Sequence, residues 1–182
     1  NIQFVHKLSS FDSKIPTKIG WVSTWNTRCG IASYSQNLVN SIDANILVFA
    51  PSDENLIAID QSFVKRSWKL SSSNFTNLLG EIDQQKITTV VIQFNFGFFD
   101  FTEFDKLIIS LYQSQTKIIL FMHSTIDAGP DKTLKSIANA LKLCHRIFVH
   151  TPNDMNRLRE IDLIDQVSIF PHGLPILNNL SV

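Results

Sequence analysis

A chain of 182 residues, 44% hydrophobic and 18% charged, carries enough material for one well-packed domain of ordinary to large size. Sixteen Lys plus Arg balance sixteen Asp plus Glu, which argues against a nucleic-acid or other polyanion partner. No apolar run is long enough to span a bilayer and no signal peptide is read at the start; membrane contact is left open.

Residues 1–14 show no clear period and read as a leader or linker, with Pro16 keeping the first strand downstream of it. Asn1 is not an initiator methionine, and the chain is expected to be part of a longer protein. Ile19 to Ser23 forms the first strand, and an amphipathic helix follows from about Ile31 to Ile42. Asn45 to Ala50 is a continuous apolar run closed by Pro51, the pattern of a strand buried on both faces. Ser62 to Trp68 is shorter and more polar, as suits a strand near a sheet edge. Phe75, Leu78, Leu79 and Ile82 fall at i, i+3, i+4 and i+7, one apolar stripe of a helix. Thr88 to Phe94 is another buried strand. Asp100 with Glu103 three residues on is a capping box opening a helix to about Gln113.

Lys117 to Met122 is the most hydrophobic strand. Leu134, Ile137, Ala138 and Leu141 then mark a helix, and Arg146 to Val149 a strand. Thr151-Pro152 supplies a helix cap with proline at the first helical position. Gln166 to Phe170 is the last strand, ended by Pro171-His172-Gly173-Leu174-Pro175. Strands alternating with helices, and no hairpin signal, predict an α/β fold: a parallel sheet of about seven strands with helices on both faces.

In such a sheet, ligands bind at the carboxyl ends of the strands, so the candidate residues are those that follow each strand. After the first come Asn26, Arg28 and Gly30, where a helix N-terminus can hold an anion and Gly30 either admits close approach or relieves strain in the turn. After the fourth come Gln93, Asn95 and Phe96-Gly97-Phe98, whose amides suit sugar hydroxyls or simply form the turn. After the fifth comes His123, a hydrogen-bonding or acid–base group, or a cap of the next turn. His150 and His172 follow the sixth and seventh strands. With His123 they can in principle gather a metal, but no compact ligand motif supports one and no metal is expected. Six of the fourteen phenylalanines fall between Phe94 and Phe104, either packed beneath their loop or exposed as an aromatic lip.

Cys29 follows a strand and Cys144 precedes one, so a parallel sheet sets them on opposite edges, about 20 Å apart. A disulfide needs Cα atoms within about 7 Å, so both are expected as free thiols, which points to the cytoplasm. The first turn lacks GxGxxG, and neither a P-loop nor a GxSxG elbow is present, which disfavours dinucleotide, P-loop and serine-hydrolase chemistry. A flavodoxin-like regulatory domain would carry an acidic cluster at the first strand end, and none is there.

The stretches STWNTRCGIASYSQNLV, VVIQFNFGFF, ILFMHST, RIFVHT and VSIFPHGLP resemble, in order and spacing, the N-terminal domain of retaining GT-B glycosyltransferases of family 4, over about residues 17–175. The resemblance implies a Rossmann-like N-terminal domain over 15–175 and the start of an interdomain connection at 176–182. A second Rossmann-like domain, with donor-binding carboxylates, would complete the enzyme. It places Arg28, Cys29, Gly30 and Ile31 against the donor phosphates and His123 beside the transferring sugar, as the catalytic residue. Asn26, Gln93, Asn95, Phe96, Gly97 and Phe98 would line the acceptor side, and His172 and Gly173 would mark the crossing to the second domain. It implies a nucleotide-sugar co-substrate, a glycan, lipid or protein acceptor, and no metal cofactor. Without the second domain, these residues are expected not to transfer sugar alone. The loop after the first strand departs from the family in carrying one glycine where many relatives have more. A non-catalytic nucleotide- or sugar-binding domain within a larger protein is the alternative.

Overall fold

Seven strands alternate with helices along the chain, and every paired strand runs parallel to its neighbour. The computed structural model describes residues 18–71 and 74–173. The expectations for a leader at 1–14, for Leu174-Pro175 and for a connection at 176–182 lie outside the described residues.

The strands are β1 (Lys18–Val22), β2 (Asn45–Pro51), β3 (Val64–Trp68), β4 (Thr89–Phe94), β5 (Lys117–Met122), β6 (Arg146–Val149) and β7 (Val167–Ile169). The helices are α1 (Gly30–Ser41), α2 (Thr76–Gln84), α3 (Phe101–Gln113), α4 (Ala138–Lys142) and α5 (Pro152–Arg159). The helix read over residues 134–141 is split into a 3-10 turn, Leu134–Ile137, and the short α4. Thr133 opens that turn by accepting a hydrogen bond from the Ser136 amide on its side-chain oxygen.

The strand order is β3-β2-β1-β4-β5-β6-β7. The polar β3 lies at an edge, as its composition predicts. Order reverses between β1 and β4, and such a switch point opens a crevice at the carboxyl edge of an open parallel sheet.

Successive strand residues point to opposite faces and feed two apolar cores. Val22, Phe49, Ile92, Leu120 and Val149 face α2 to α5, through Leu78, Leu107, Ile108, Leu141 and Leu158. Trp21, Val48, Val91 and Phe121 face α1, through Val39, Leu38 and Tyr34. Helices therefore cover both faces, but unequally. Close approach inside the sheet is secured at Gly20, where a Cβ would stand 2.8 Å from a ring carbon of Phe49.

The phenylalanine run is core, not lip. Phe94, Phe96, Phe99, Phe101 and Phe104 are all buried, and Phe98 is half-buried. Phe99 stacks between Trp68 and Phe94, with ring centroids 5.3 and 5.6 Å away. Asp100 caps α3 through the Glu103 amide, as the capping box predicts. Cys29 and Cys144 are both free thiols.

Candidate functional site

The turn from β1 to α1 is held from beneath by a polar network anchored on Arg66 of β3. Its guanidinium contacts Glu54 at 2.6 Å and Asp60 at 2.8 Å, and donates to the carbonyls of Pro51 and Trp25. Glu54 accepts the Trp25 amide, while Asp60 accepts from the side chain of Asn26. Burial pushes the Glu54 carboxyl up, against the lowering pull of Arg66 and the Trp25 amide. Asp60 is instead held low, chiefly by its hydrogen bond from Arg66.

Asn26 is buried within this network at a positive φ of 51°. Its amide donates to Asp60 and its carbonyl oxygen accepts from Gln36, so its side chain is spent on building the turn. The left-handed residue of the turn is thus Asn26 and not Gly30, a role asparagine tolerates. Gly30 is outside the positive-φ set, and a Cβ built there would meet nothing within 4 Å. Neither backbone strain nor protein packing accounts for glycine at this position; it leaves open space in front of α1.

That space is a crevice of about 610 Å³, lined by Cys29, Gly30, Ile31, Tyr34, Asn95, His123, His172 and Gly173, with Ser33 and Asn37 along its rim. The first turn of α1 enters it with no acidic residue and no side-chain cap on Cys29. Its leading N–H groups and positive dipole end face the opening. Arg28 is exposed on the turn and does not line the crevice.

Strand register delivers the histidines. Met122 pairs with both Phe94 and Val149, so His123 and His150, each one residue further on, emerge side by side. The His123 amide continues the ladder to the Phe94 carbonyl, and the Phe170 amide continues it to Val149, which brings His172 alongside. The ring centroids of His150 and His172 lie 3.6 Å apart and stacked, with His123 5.0 Å from His150. Tyr34 of α1 meets all three edge-on, at 5.2, 5.7 and 5.2 Å.

Burial, and then the neighbouring histidines, push the His123 imidazole down to about 3. Burial also lowers His150, against a hydrogen bond to the Phe170 carbonyl. Burial alone pushes the Tyr34 hydroxyl up to about 12. His123 Nε2 lies 2.7 Å from the Gln93 side-chain oxygen, and His150 Nδ1 2.8 Å from the Phe170 carbonyl. Tyr34 Oη, His150 Nε2 and Gln93 Nε2 are buried polar atoms without a partner. Orphaned buried polar groups are rare in folded proteins; here Tyr34 lines the crevice, while His150 and Gln93 each meet His123, which lines it.

The other candidates divide. Gln93 is fully buried and touches the crevice only through His123. Asn95 lines the crevice, and its side-chain oxygen accepts the Gly97 amide. Phe96 points into the core, and its carbonyl accepts from Lys132. Gly97 is exposed and Phe98 half-buried on the same loop. Tyr34 was outside the sequence candidates, although its place one turn after Gly30 puts it on the same helix face. A second hollow, of about 520 Å³ between α2 and α3, opens at the amino edge of the sheet; Asp83, Lys86, Thr88, Ser110, Ser114 and Thr116 are among its lining residues, and none of them carries an unpartnered buried side-chain atom.

No protein-family model matches the chain, and no curated protein matches it. Among solved structures, MurG of Acinetobacter baumannii is similar at a TM-score of 0.52 and 9% identity, over 90% of this chain. The chain spans about half of that protein, 47% of its length. The shared fold is the Rossmann-like α/β domain of the GT-B architecture. The crevice described above lies at the carboxyl edge of the sheet, where the strand order reverses.

Proposed function

We propose that the chain is the acceptor-side domain of a retaining sugar transferase of the family 4 type. Such an enzyme moves a sugar from a nucleotide-sugar donor to a glycan, lipid or protein acceptor. The observation that carries this reading is the uncapped N-terminus of α1 opening across the crevice from His123, with no atom of the described residues within 4 Å of a Cβ built at Gly30. A helix end of that kind stabilises phosphate oxygens, and the leaving group of the reaction is a nucleoside diphosphate. The GT-B-type fold and the family-like stretches at the strand ends support the same reading.

The roles then divide along the crevice. Backbone amides of Gly30 and Ile31 receive the donor phosphates beside Cys29, whose own amide is engaged by the Thr27 carbonyl, with Arg28 adding charge from outside the crevice. The bond from the anomeric carbon to phosphate breaks, the acceptor oxygen bonds to that carbon, its proton leaves with the departing diphosphate, and configuration is kept. His123, neutral across the physiological range, sits beside the transferring sugar and Gln93 holds its ring. Asn95, Gly97 and Phe98 face the acceptor, with Phe96 supporting their loop from the core. Asn26 builds the turn, and His172 with Gly173 leads toward a donor-binding domain. Stabilising the departing phosphate is assigned to the helix end, without a resident catalytic metal. The cytoplasm is the proposed compartment, on the strength of the two free thiols.

NMR titration of the 182-residue chain with UDP-, GDP- and TDP-sugars and with candidate acceptor glycans tests the reading. Acceptor binding is expected to shift resonances at Gly30, Asn95 and His123, with nucleotide-sugars binding weakly in the absence of a donor domain. Tight nucleotide binding by this chain alone would overturn the half-site picture in favour of a self-contained binding module.

A further inference from the structure

We propose that His123, His150 and His172 form a three-imidazole site for a borderline transition-metal cation, with Zn2+ the best fit. Each residue offers one ring nitrogen, and those atoms lie within 4.8 Å of one another. A tetrahedral cation with Zn–N bonds of about 2.0–2.1 Å sets its ligand nitrogens about 3.3 Å apart. Closing the remaining distance falls to His172, the exposed member, which lies beyond the end of β7.

The other two rings are already oriented as metal ligands are. A ligating histidine characteristically donates its second ring N–H to a carbonyl or carboxylate, which fixes tautomer and ring angle. His150 donates Nδ1–H to the Phe170 carbonyl at 2.8 Å, and His123 Nε2 meets the Gln93 side-chain oxygen at 2.7 Å. These contacts leave lone pairs on His150 Nε2 and His123 Nδ1. His150 Nε2 is buried without a partner, which a protein tolerates poorly unless a ligand satisfies it. A cation accepting that lone pair removes the penalty.

The donor set decides the class of ion. It is all nitrogen and neutral, and no carboxylate of the described residues lines the crevice. Mg2+ and Ca2+ require oxygen ligands and are disfavoured, whereas Zn2+, Co2+, Ni2+ and Cu2+ accept imidazole. The fourth position faces the crevice, open to water or to an anionic group. The positive end of α1 stands opposite, so affinity is expected to be modest. A cation here shares the crevice with the proposed sugar and would compete with it. The site goes beyond the transferase reading and is tested on cation uptake, with no sugar present.

The test is Co2+ titration of the full chain followed by its visible d–d absorption, then displacement with Zn2+. One equivalent is expected to bind with the spectrum of nitrogen-ligated four-coordinate Co2+, to be displaced by Zn2+, and to be unaffected by Mg2+. His172→Ala removes an exposed side chain, leaves the fold intact by circular dichroism, and is expected to weaken uptake roughly tenfold or more. His145→Ala, on the opposite sheet edge, is expected to bind as the parent does. Absence of stoichiometric uptake, uptake unchanged by His172→Ala, or equal loss with His145→Ala would each overturn the site.

Discussion

His123 and Gln93, at the ends of neighbouring parallel strands, meet through His123 Nε2 and the glutamine side-chain oxygen at 2.7 Å. The glutamine is fully buried and the histidine opens on the crevice, so a core residue dictates how a surface-facing imidazole presents itself. A carbonyl oxygen only accepts, so Nε2 carries the proton and Nδ1 is left as a lone pair.

Gln93→Leu is the variant that isolates this arrangement. It fills the volume but leaves Nε2 without its acceptor in a buried setting, at a cost of about 1–3 kcal/mol. Nitrogen NMR of the parent is expected to show the Nε2–H tautomer of His123, and the variant a mixture of tautomers. A parent spectrum dominated by Nδ1–H would refute the assignment.

Arg66 is expected to matter for stability through its ion pairs with Glu54 and Asp60. Arg66→Met leaves the Glu54 carboxylate, 3% exposed, without its counter-ion. Removing one partner of a buried pair costs about 3–5 kcal/mol, and the 18% exposure of Arg66 points to the lower end. The loss also depends on pH. In the parent Glu54 is already raised by burial, and a carboxyl raised in the folded state costs stability as pH climbs above its unfolded value. Asp60 has the opposite sign: its lowered carboxyl contributes stability that is lost only as pH falls through the folded value. Deleting Arg66 raises Glu54 further and withdraws the Asp60 contribution. Urea denaturation is therefore expected to show a larger deficit at about pH 7 than at about pH 4. A deficit that is flat with pH would mean the guanidinium acts through packing alone.

The two cysteines should separate cleanly by reactivity. Cys144 is 4% exposed, and burial pushes its thiol up to about 12, so almost no thiolate forms at neutral pH. Cys29 is half-buried on the crevice rim. A chromogenic disulfide reagent is expected to titrate one thiol quickly in the folded protein and both after denaturation. Two equally fast thiols in the folded state would contradict the placement of Cys144.

The fold was readable in the sequence because periodicity and punctuation agreed. Continuous apolar runs such as Asn45–Ala50 marked two-sided burial, and Asp100 and Thr151 marked helix starts that the structure places within a residue. The contiguous helix over 134–141 was misread because an apolar stripe does not distinguish a 3-10 turn from an α-helix over four residues. The site was readable only as a set of strand ends. That His123, His150 and His172 come together depends on strand order and register, which place β5, β6 and β7 side by side. Asn26 stands among the candidates because it follows the first strand and the family resemblance puts it on the acceptor side; its side chain instead meets Asp60 and Gln36, distant partners invisible in local sequence. The uncovered role of Gly30 likewise required knowing that nothing stands in front of it.

Gly20 and Gly30 lie ten residues apart and respond oppositely to one added methyl group. At Gly20 a Cβ would stand 2.8 Å from a ring carbon of Phe49, a residue with no exposure at all, so Gly20→Ala must displace packed core. Overpacking of that kind costs about 1–3 kcal/mol, and a lowered urea midpoint is expected. At Gly30 the same methyl group meets nothing, and alanine at the first helical position is favoured over glycine by up to about 1 kcal/mol. Gly30→Ala is therefore expected to keep or raise stability. If the space before α1 is kept for donor phosphates, the same substitution in the complete transferase should raise KM for the nucleotide-sugar. Gly30→Glu is the stronger form: a carboxylate suits a helix N-terminus by about 0.3–1 kcal/mol, yet repels a phosphate placed there. A folded Gly30→Glu protein with unimpaired turnover would remove the phosphate role from this turn. A folded protein with turnover lost would leave ligand approach as the reason for glycine, since stability and packing have both been satisfied without it.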